Sequence, residues 1–293
     1  MAHDGCKDWQ RLIMYSSNLV ARKWFNRFML GLCALGAGLA IVFVCLMLGY
    51  ILIQGVSFFN LDFLTHTAAP IGQTGGGMRN EIIGTLILVG LGSLIAVPLG
   101  MMTGIFLSEF ANPLVASGVR FAADILAGVP SIVVGVFAYA IIVRPLHSYS
   151  AFSAGAALAI IMIPIVARTT EESMRLVPNS LREAALALGI TRWRSVLSVV
   201  IPGAITGIAT GIMLGVARIA GETAPLIFTA FGNSFGFDGL GKPIGALPLQ
   251  IYRYAISPYK DWQQQAWAAA FLLSLLVLVI SMAVRWLSRK RSS

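Results

Sequence analysis

Charge is what this sequence has least of. Only 11% of its 293 residues are Asp, Glu, Lys or Arg, where a soluble globular domain carries about 25%. Hydrophobic residues make up 57% and the mean hydropathy is +0.82. This balance excludes an ordinary soluble domain and points to an integral membrane protein. Acidic residues are the scarcest, 12 against 21 basic ones, for a net charge of +9. Nucleic-acid binding is excluded because the basic residues flank apolar runs and form no soluble domain. The three cysteines, Cys6, Cys33 and Cys45, offer no even disulfide framework; Cys33 and Cys45 lie in one apolar run and read as small hydrophobes in a helix. The three histidines, His3, His66 and His147, fall in tails or loops, and neither His-Glu-x-x-His nor Gly-x-Ser-x-Gly occurs. No catalytic or metal-ligating set is expected.

What is present in quantity is long apolar runs. A helix needs roughly 20 apolar residues to cross the hydrocarbon core. Six runs qualify, at about 28–53, 82–107, 125–143, 149–167, 202–228 and 266–287. The fold class expected is all-α polytopic, with six transmembrane helices. The first run exceeds a signal-peptide core of about 7–15 residues and no small-x-small site follows it, so it reads as a permanent anchor. Residues 1–27 form a tail, 54–78 an extracytoplasmic loop, 79–287 the membrane core with its long connecting loop at 168–201, and 288–293 a second tail.

Six spans put both termini on one side, and Lys and Arg decide which. With the termini cytoplasmic, fifteen basic residues lie inside and five outside (Arg79, Arg144, Lys242, Arg253 and Lys260), leaving Arg218 within a span. The termini are therefore expected in the cytoplasm. Tyr252, Tyr254, Tyr259, Trp262 and Trp267 then form an aromatic belt at the outer face.

The loop 168–201 contains "PNSLREAALALGITRWRSVLSVVIPG". Ser180 and Glu183 have the spacing of a capping box, and Gly189 is a natural terminator. Leu181, Ala184, Ala185 and Leu188 share one face of the short helix between them. So short a helix is marginal alone and is expected to dock on something; an amphipathic connector lying on the membrane has the same spacing. Arg192 and Arg194 suit lipid phosphates or acidic groups of a partner. Pro202 suits the first turn of the fifth span.

Glu183-Ala184-Ala185, then Gly189, then Val199-x-Ile201-Pro202 resembles the EAA loop of binding-protein-dependent ABC importer permeases. That family prefers Ile and Leu where this chain has Val199 and Ile201, which are conservative exchanges. The resemblance implies a type-I ABC importer permease fold. It also implies a coupling helix, carrying Glu183, Ala184, Ala185 and Gly189, that sits in a groove of a separate ATPase subunit. The small Ala184 and Ala185 permit close approach there. ATP and Mg would belong to that partner, with no cofactor on this chain. Gly236-x-x-x-x-Gly241-Lys242 imitates a phosphate-cradling loop, but Pro243 stands where the Mg²⁺-binding Ser or Thr belongs and no strand precedes it.

The stretch "VARIAGETAPLIF", Val216–Phe228, places Arg218 and Glu222 four residues apart at the end of an apolar run. Arg218 lies sixteen residues past Pro202, about 24 Å along a helix, still within a core of about 30 Å. A lipid-facing charge there is costly, so Arg218 is expected to face the bundle interior or a watery cavity. The i, i+4 spacing puts Glu222 on the same face. One reading is a structural ion pair locking two helices together. The other is a substrate contact, since the planar guanidinium suits phosphate or carboxylate oxygens.

"ARIAGETAPLIFTA", "GVPSIVVGVF" (Gly128–Phe137) and "GGGMRNEIIGTLILVG" (Gly75–Gly90) resemble stretches of phosphate permeases of the PstA type. With the EAA loop, the likeness covers about residues 75–287. It implies a multi-pass subunit of a bacterial inner membrane, importing inorganic phosphate with a related permease of the PstC type, two ATP-binding subunits and an external phosphate-binding protein. Arg218, Glu222 and Thr223 would then line the substrate pathway. An ion-gradient-driven oxyanion carrier, or an ABC permease for another tetrahedral oxyanion, is the alternative. The carrier would typically show paired repeats with interrupted spans, and none is visible.

Overall fold

The structure is a computed structural model that describes residues 5–70, 75–234 and 236–290. His3 and Arg291 lie outside the described residues. The chain divides into two units, Met1–Ile53 and Gln54–Ser293. The first is helical from Gly5, in α1 (Gly5–Val56), whose apolar stretch Ala21–Val56 is long enough to cross a membrane. Its Phe28, Leu35 and Phe43 are exposed, as lipid-facing side chains of an anchor would be.

The second unit is helical almost throughout. After the short α2 (Leu61–Thr65) come α3 (Arg79–Glu109), α4 (Pro113–Gly128), α5 (Ser131–Leu146) and α6 (Ala151–Arg175). Then follow α7 (Asn179–Ala187), α8 (Arg192–Ala220), α9 (Ala224–Thr229), α10 (Leu247–Ala255) and α11 (Lys260–Lys290). The described helices α1, α3, α6, α8 and α11 are each long and apolar enough to span, and α4 with α5 makes a sixth if the bent pair counts as one.

That pair stands where a third span was expected over 125–143. Its halves meet at 101°. Pro130 has no N–H and disfavours helical backbone in the residue before it; Val129 is accordingly extended, and α5 restarts at Ser131. Pro98 and Pro164 sit inside α3 and α6 without ending them.

The fifth span also differs. It begins at Arg192, ten residues before Pro202, and passes through a π-helical stretch at Val196–Val200. A π turn just ahead of Pro202 absorbs the hydrogen bond that proline cannot donate. At its far end the helix stops at Ala220 rather than running to Phe228.

The core is built on the pairing of α3 with α6. Leu88, Ala96, Leu158, Met162 and Val166 are almost fully buried there, joined by Ile219 of α8 and Leu226 of α9. Between apolar helices in lipid, close packing by small residues does most of the work. At Gly100 a methyl group would stand 2.7 Å from Val166 Cβ, and at Gly104 it would stand 2.6 Å from the Ala167 carbonyl oxygen. Only glycine permits this approach. Ser150 and Ser153 cap α6 reciprocally, and Ser153 donates to the Thr229 carbonyl at 3.0 Å, tying α9 to the core.

Candidate functional site

Two groups of sequence-predicted residues lie on α7–α9. The first is at the break between α8 and α9. Gly221 ends α8 with its N–H donating to the Arg218 carbonyl, and Glu222 N–H donates to Ile219. Arg218 thus occupies the last turn, where a cation complements the free carbonyls. Glu222 stands beyond the helix, yet its Oε1 lies 3.4 Å from Arg218 Nη2. The Arg218 side chain is 53% exposed and that of Glu222 only 13%. The guanidinium therefore points out of this chain, not into its core. Thr223 does not bond its own helix: its hydroxyl reaches the Pro248 carbonyl in the first turn of α10, at 3.5 Å.

The second group is the helix α7. Its N-cap is Pro178 and no side chain caps it, so the expected Ser180–Glu183 capping box does not form. The chain already enters through Pro178, whose fixed φ starts the helix one residue before Ser180. The C-terminus follows the expectation. Gly189 takes φ +78°, its N–H bonds to Leu186, and the Ile190 N–H bonds to Ala185, the paired bonds of a glycine C-cap. Of the residues on the predicted face, Ala185 is buried, while Leu181, Ala184 and Leu188 are exposed, Leu188 to 81%. Glu183 and Gly189 are also exposed. An apolar, small-residue helix face is thus left uncovered by this chain.

What holds α7 in place was not foreseen. Glu109, the last residue of α3, is nearly buried and receives Arg182 Nη2 at 2.8 Å and Nε at 3.2 Å. The remaining Arg182 donors go to the Met174 carbonyl at 2.8 Å, the Val177 carbonyl at 2.5 Å and Asn179 Oδ1 at 3.3 Å. Arg192, expected at lipid or a partner, instead donates to the Glu109 backbone carbonyl and lies over the Phe110 ring. Arg194 lies over Trp193. The α7 loop is therefore pinned to the end of α3 from both sides.

A second buried carboxylate, Glu171 of α6, collects three arginines. Arg120 Nε is 2.7 Å and Arg175 Nη2 2.8 Å from its Oε1, and Arg168 Nη1 is 3.8 Å from Oε2. Arg168 also pairs with Asp124 at 3.1 Å. This ties α4 to α6. Composition reveals the many arginines of 168–201, but not that Arg182 pairs with Glu109, 73 residues away, or that Glu171 also draws in Arg120 from 51 residues away.

The Gly236–Lys242 stretch is an irregular loop with a bridge between Phe231 and Ile244, and no helix starts before Leu247. It has none of the helix N-terminus that a phosphate-cradling loop requires. The aromatic belt is incomplete: Tyr252 and Tyr259 are exposed, but Tyr254 is buried and stacked on Trp262 with centroids 4.6 Å apart.

Comparison with known proteins agrees with this geometry. The chain is 40% identical over 265 residues to the phosphate transport system permease protein PstA of Haemophilus influenzae, covering 90% of this chain and 94% of that one. It is 42% identical over 239 residues to the protein of the same name from Yersinia pestis, covering 81% of each. Among solved structures, a chain of a bacterial ABC transporter involved in the import of the acidic polysaccharide alginate superposes with a TM-score of 0.62 at 16% identity, over 97% of this chain and 98% of that one. A chain of the inward-facing MetNI methionine ABC transporter superposes with a TM-score of 0.59 at 20% identity, over 73% and 97%. At such identities these two speak for the fold alone: the type-I ABC importer permease fold that the EAA resemblance implied. The family model described as binding-protein-dependent transport system inner membrane component matches residues 96–293, and the chain belongs to that family.

Proposed function

We propose that this chain is a membrane-spanning permease subunit of an ATP-driven importer that passes inorganic phosphate across the cytoplasmic membrane of a bacterium. The observation that carries the reading is Arg218, a half-exposed guanidinium at a break in a membrane helix. A charge at that depth is tolerated beside a water-filled path or a partner, not against lipid. Similarity to relatives named as phosphate transport permeases supports phosphate as the cargo.

Phosphate arrives from an external binding protein and meets Arg218, whose planar fork accommodates two oxygens. Glu222 holds Arg218 between passages and weakens the grip on a dianion, so that the ion leaves as readily as it comes. Thr223 lies beside the pair. A second permease of the PstC type faces the same path. Two ATP-binding subunits hold ATP and Mg, and one of them takes the exposed face of α7 with Glu183, Ala184, Ala185 and Gly189. The excess of basic residues in the α7-side segments supports cytoplasmic termini.

Uptake of labelled phosphate by membrane vesicles tests the pathway. With insertion confirmed, Arg218→Gln should reduce uptake at least tenfold; uptake equal to the unsubstituted protein would discard the contact role. Glu183→Arg should abolish uptake while the external protein still binds phosphate. Co-purification of an ATPase separates this machine from an ion-gradient carrier, and competition by sulfate, molybdate or phosphonate tests the cargo.

A further inference from the structure

The long helix α8 has three faces, and two of them are taken up by this chain. Gly207, Gly211 and Gly215 lie against Ser173, Thr169 and Met162 of α6. Ile208, Ile212 and Ile219 pack into the core. The third face is free. It carries Thr206, Thr210, Leu214 and Arg218, each exposed and each four residues from the next, so that they form one row along the helix.

The row is unlike the other exposed faces of the spans. On α3 the exposed side chains include Ile83, Leu86, Leu94, Leu99 and Met102, and on α11 Leu275, Leu278 and Val279, as lipid demands. Among the described residues of Ile201–Ala220, Leu214 is the only large aliphatic side chain left exposed. Its neighbours in the row are two hydroxyls and a guanidinium.

Thr206 stands fourteen residues from either end of α8, at the depth where a membrane is driest. A threonine in such a place ordinarily spends its hydroxyl on the carbonyl four residues before it. Thr210 does so with the Thr206 carbonyl, and Thr103 of α3 with the Leu99 carbonyl, both at 2.8 Å. The Thr206 hydroxyl forms no such bond among the described residues. A polar group left open at that depth is satisfied by water or a passing polar ligand, not by lipid. Arg218 makes the same demand from the same row. Leu214 stands between, about 6 Å along the helix from Arg218 on one side and from Thr210 on the other.

We propose that the free face of α8 is one wall of the route an anion takes below Arg218, with Thr210 and Thr206 donating their hydroxyls to the ion and Leu214 forming the apolar barrier between them and Arg218. A Thr side chain on a helix divides its time between two staggered positions, so Thr210 can leave the Thr206 carbonyl for an ion and return. A neutral hydroxyl holds an anion less firmly than a guanidinium does, which suits a stretch that the ion must leave again. An apolar side chain at a narrow point excludes water and closes the passage while no ATP is spent. That the ion is phosphate rests on the proposed function; the wall itself does not.

The test uses the whole permease–ATPase complex in lipid nanodiscs and a charged methanethiosulfonate reagent, which attacks thiols that water reaches. Cys6, Cys33 and Cys45 are replaced by Ser, and one thiol is introduced by Thr206→Cys or Thr210→Cys, exchanges close in size. The reference is the chain with Cys33 alone retained, exposed on the anchor helix α1. Both introduced thiols should react at least tenfold faster than Cys33. Rates no faster than that of Cys33 overturn the wall, because a face turned to lipid or packed dry against a partner behaves in that way. Vesicles loaded with labelled phosphate and given no ATP test the barrier. Leu214→Ala should raise efflux at least fivefold, and Leu214→Met, which keeps the bulk, should not; efflux through Leu214→Ala equal to that of the unsubstituted complex overturns the barrier. Thr206→Val should lower ATP-driven uptake at least threefold and Thr206→Ser should largely restore it, whereas full uptake with Thr206→Val overturns hydroxyl donation. Phosphate uptake by the unsubstituted complex is measured in parallel. If uptake stands while both thiols react slowly, the wall alone fails; if the thiols react fast and no phosphate is moved, the phosphate reading alone fails.

Discussion

Arg182 and Glu109 are 73 residues apart in sequence and 2.8 Å apart in space. Their pairing joins α7, the helix that carries Glu183-Ala184-Ala185 and an uncovered small-residue face, to the end of a 31-residue helix that runs through the core. A movement imposed on α7 is therefore delivered to α3 through a nearly buried, multiply bonded contact rather than through a flexible loop.

The contact is expected to govern coupling. Removing one member of a buried ion pair costs about 3–5 kcal/mol, which is enough to let α7 move without α3. Arg182→Ala should therefore lower phosphate uptake at least tenfold while ATP hydrolysis by the assembled complex persists. The exchanged pair, Glu109→Arg with Arg182→Glu, should recover part of the uptake. The measurement is phosphate moved per ATP hydrolysed in proteoliposomes; an unchanged ratio in Arg182→Ala removes the clamp from the mechanism.

Glu171 should matter to stability instead. It is the common partner of Arg120 and Arg175, at 2.7 and 2.8 Å, and its loss removes the carboxylate on which those guanidinium groups converge. Glu171→Ala is expected to destabilise the folded chain by on the order of 3 kcal/mol. Thermal unfolding of the detergent-solubilised complex reads this as a lowered midpoint, with Glu172→Ala, a neighbour outside the cluster, as the comparison.

Gly189 is a place where backbone geometry sets a clear limit. At φ +78°, a residue with a Cβ costs roughly 1–2 kcal/mol, and Asn is the side chain best able to tolerate it. Gly189→Val should therefore weaken retention of the ATPase by the complex at least several-fold, and Gly189→Asn should largely preserve it. Space around the position is open, so the contrast tests conformation and not crowding; equal retention by both variants would contradict it.

Much of this was legible in the chain because the membrane simplifies the reading. Six apolar runs, the Glu183-Ala184-Ala185 motif and the Arg218–Glu222 spacing all survive as helices, an exposed helix face and a 3.4 Å pair. What was not legible depends on where a helix stops. Pro130 stands in an apolar run as Pro98 and Pro164 do, yet it breaks a span while they leave their helices intact; Pro202, expected in the first turn of the fifth span, lies ten residues inside it behind a π turn. Tertiary packing decides among these outcomes, and hydropathy carries no trace of it. The carboxylates Glu81, Glu109 and Glu171 were missed for a related reason. Each sits at or near the end of an apolar run, where a charge ordinarily marks the membrane surface, and only the fold buries it.

Glu222 yields the sharpest kinetic expectation. Its carboxylate is mostly shielded, but Arg218 is half exposed, so the attraction is damped by solvent to about 1 kcal/mol. That much is enough to set how long an anion stays on the guanidinium. With Glu222→Gln the arginine is released to grip phosphate, and the ion should bind about fivefold more tightly, since 1.4 kcal/mol corresponds to tenfold. Tighter binding at an intermediate station slows departure. Both the maximal uptake rate and the half-saturating phosphate concentration should therefore fall together. A role confined to locking α8 against its neighbours predicts a different result: a lower maximal rate with unchanged half-saturation. Initial uptake rates across a range of phosphate concentrations, at fixed saturating ATP, separate the two.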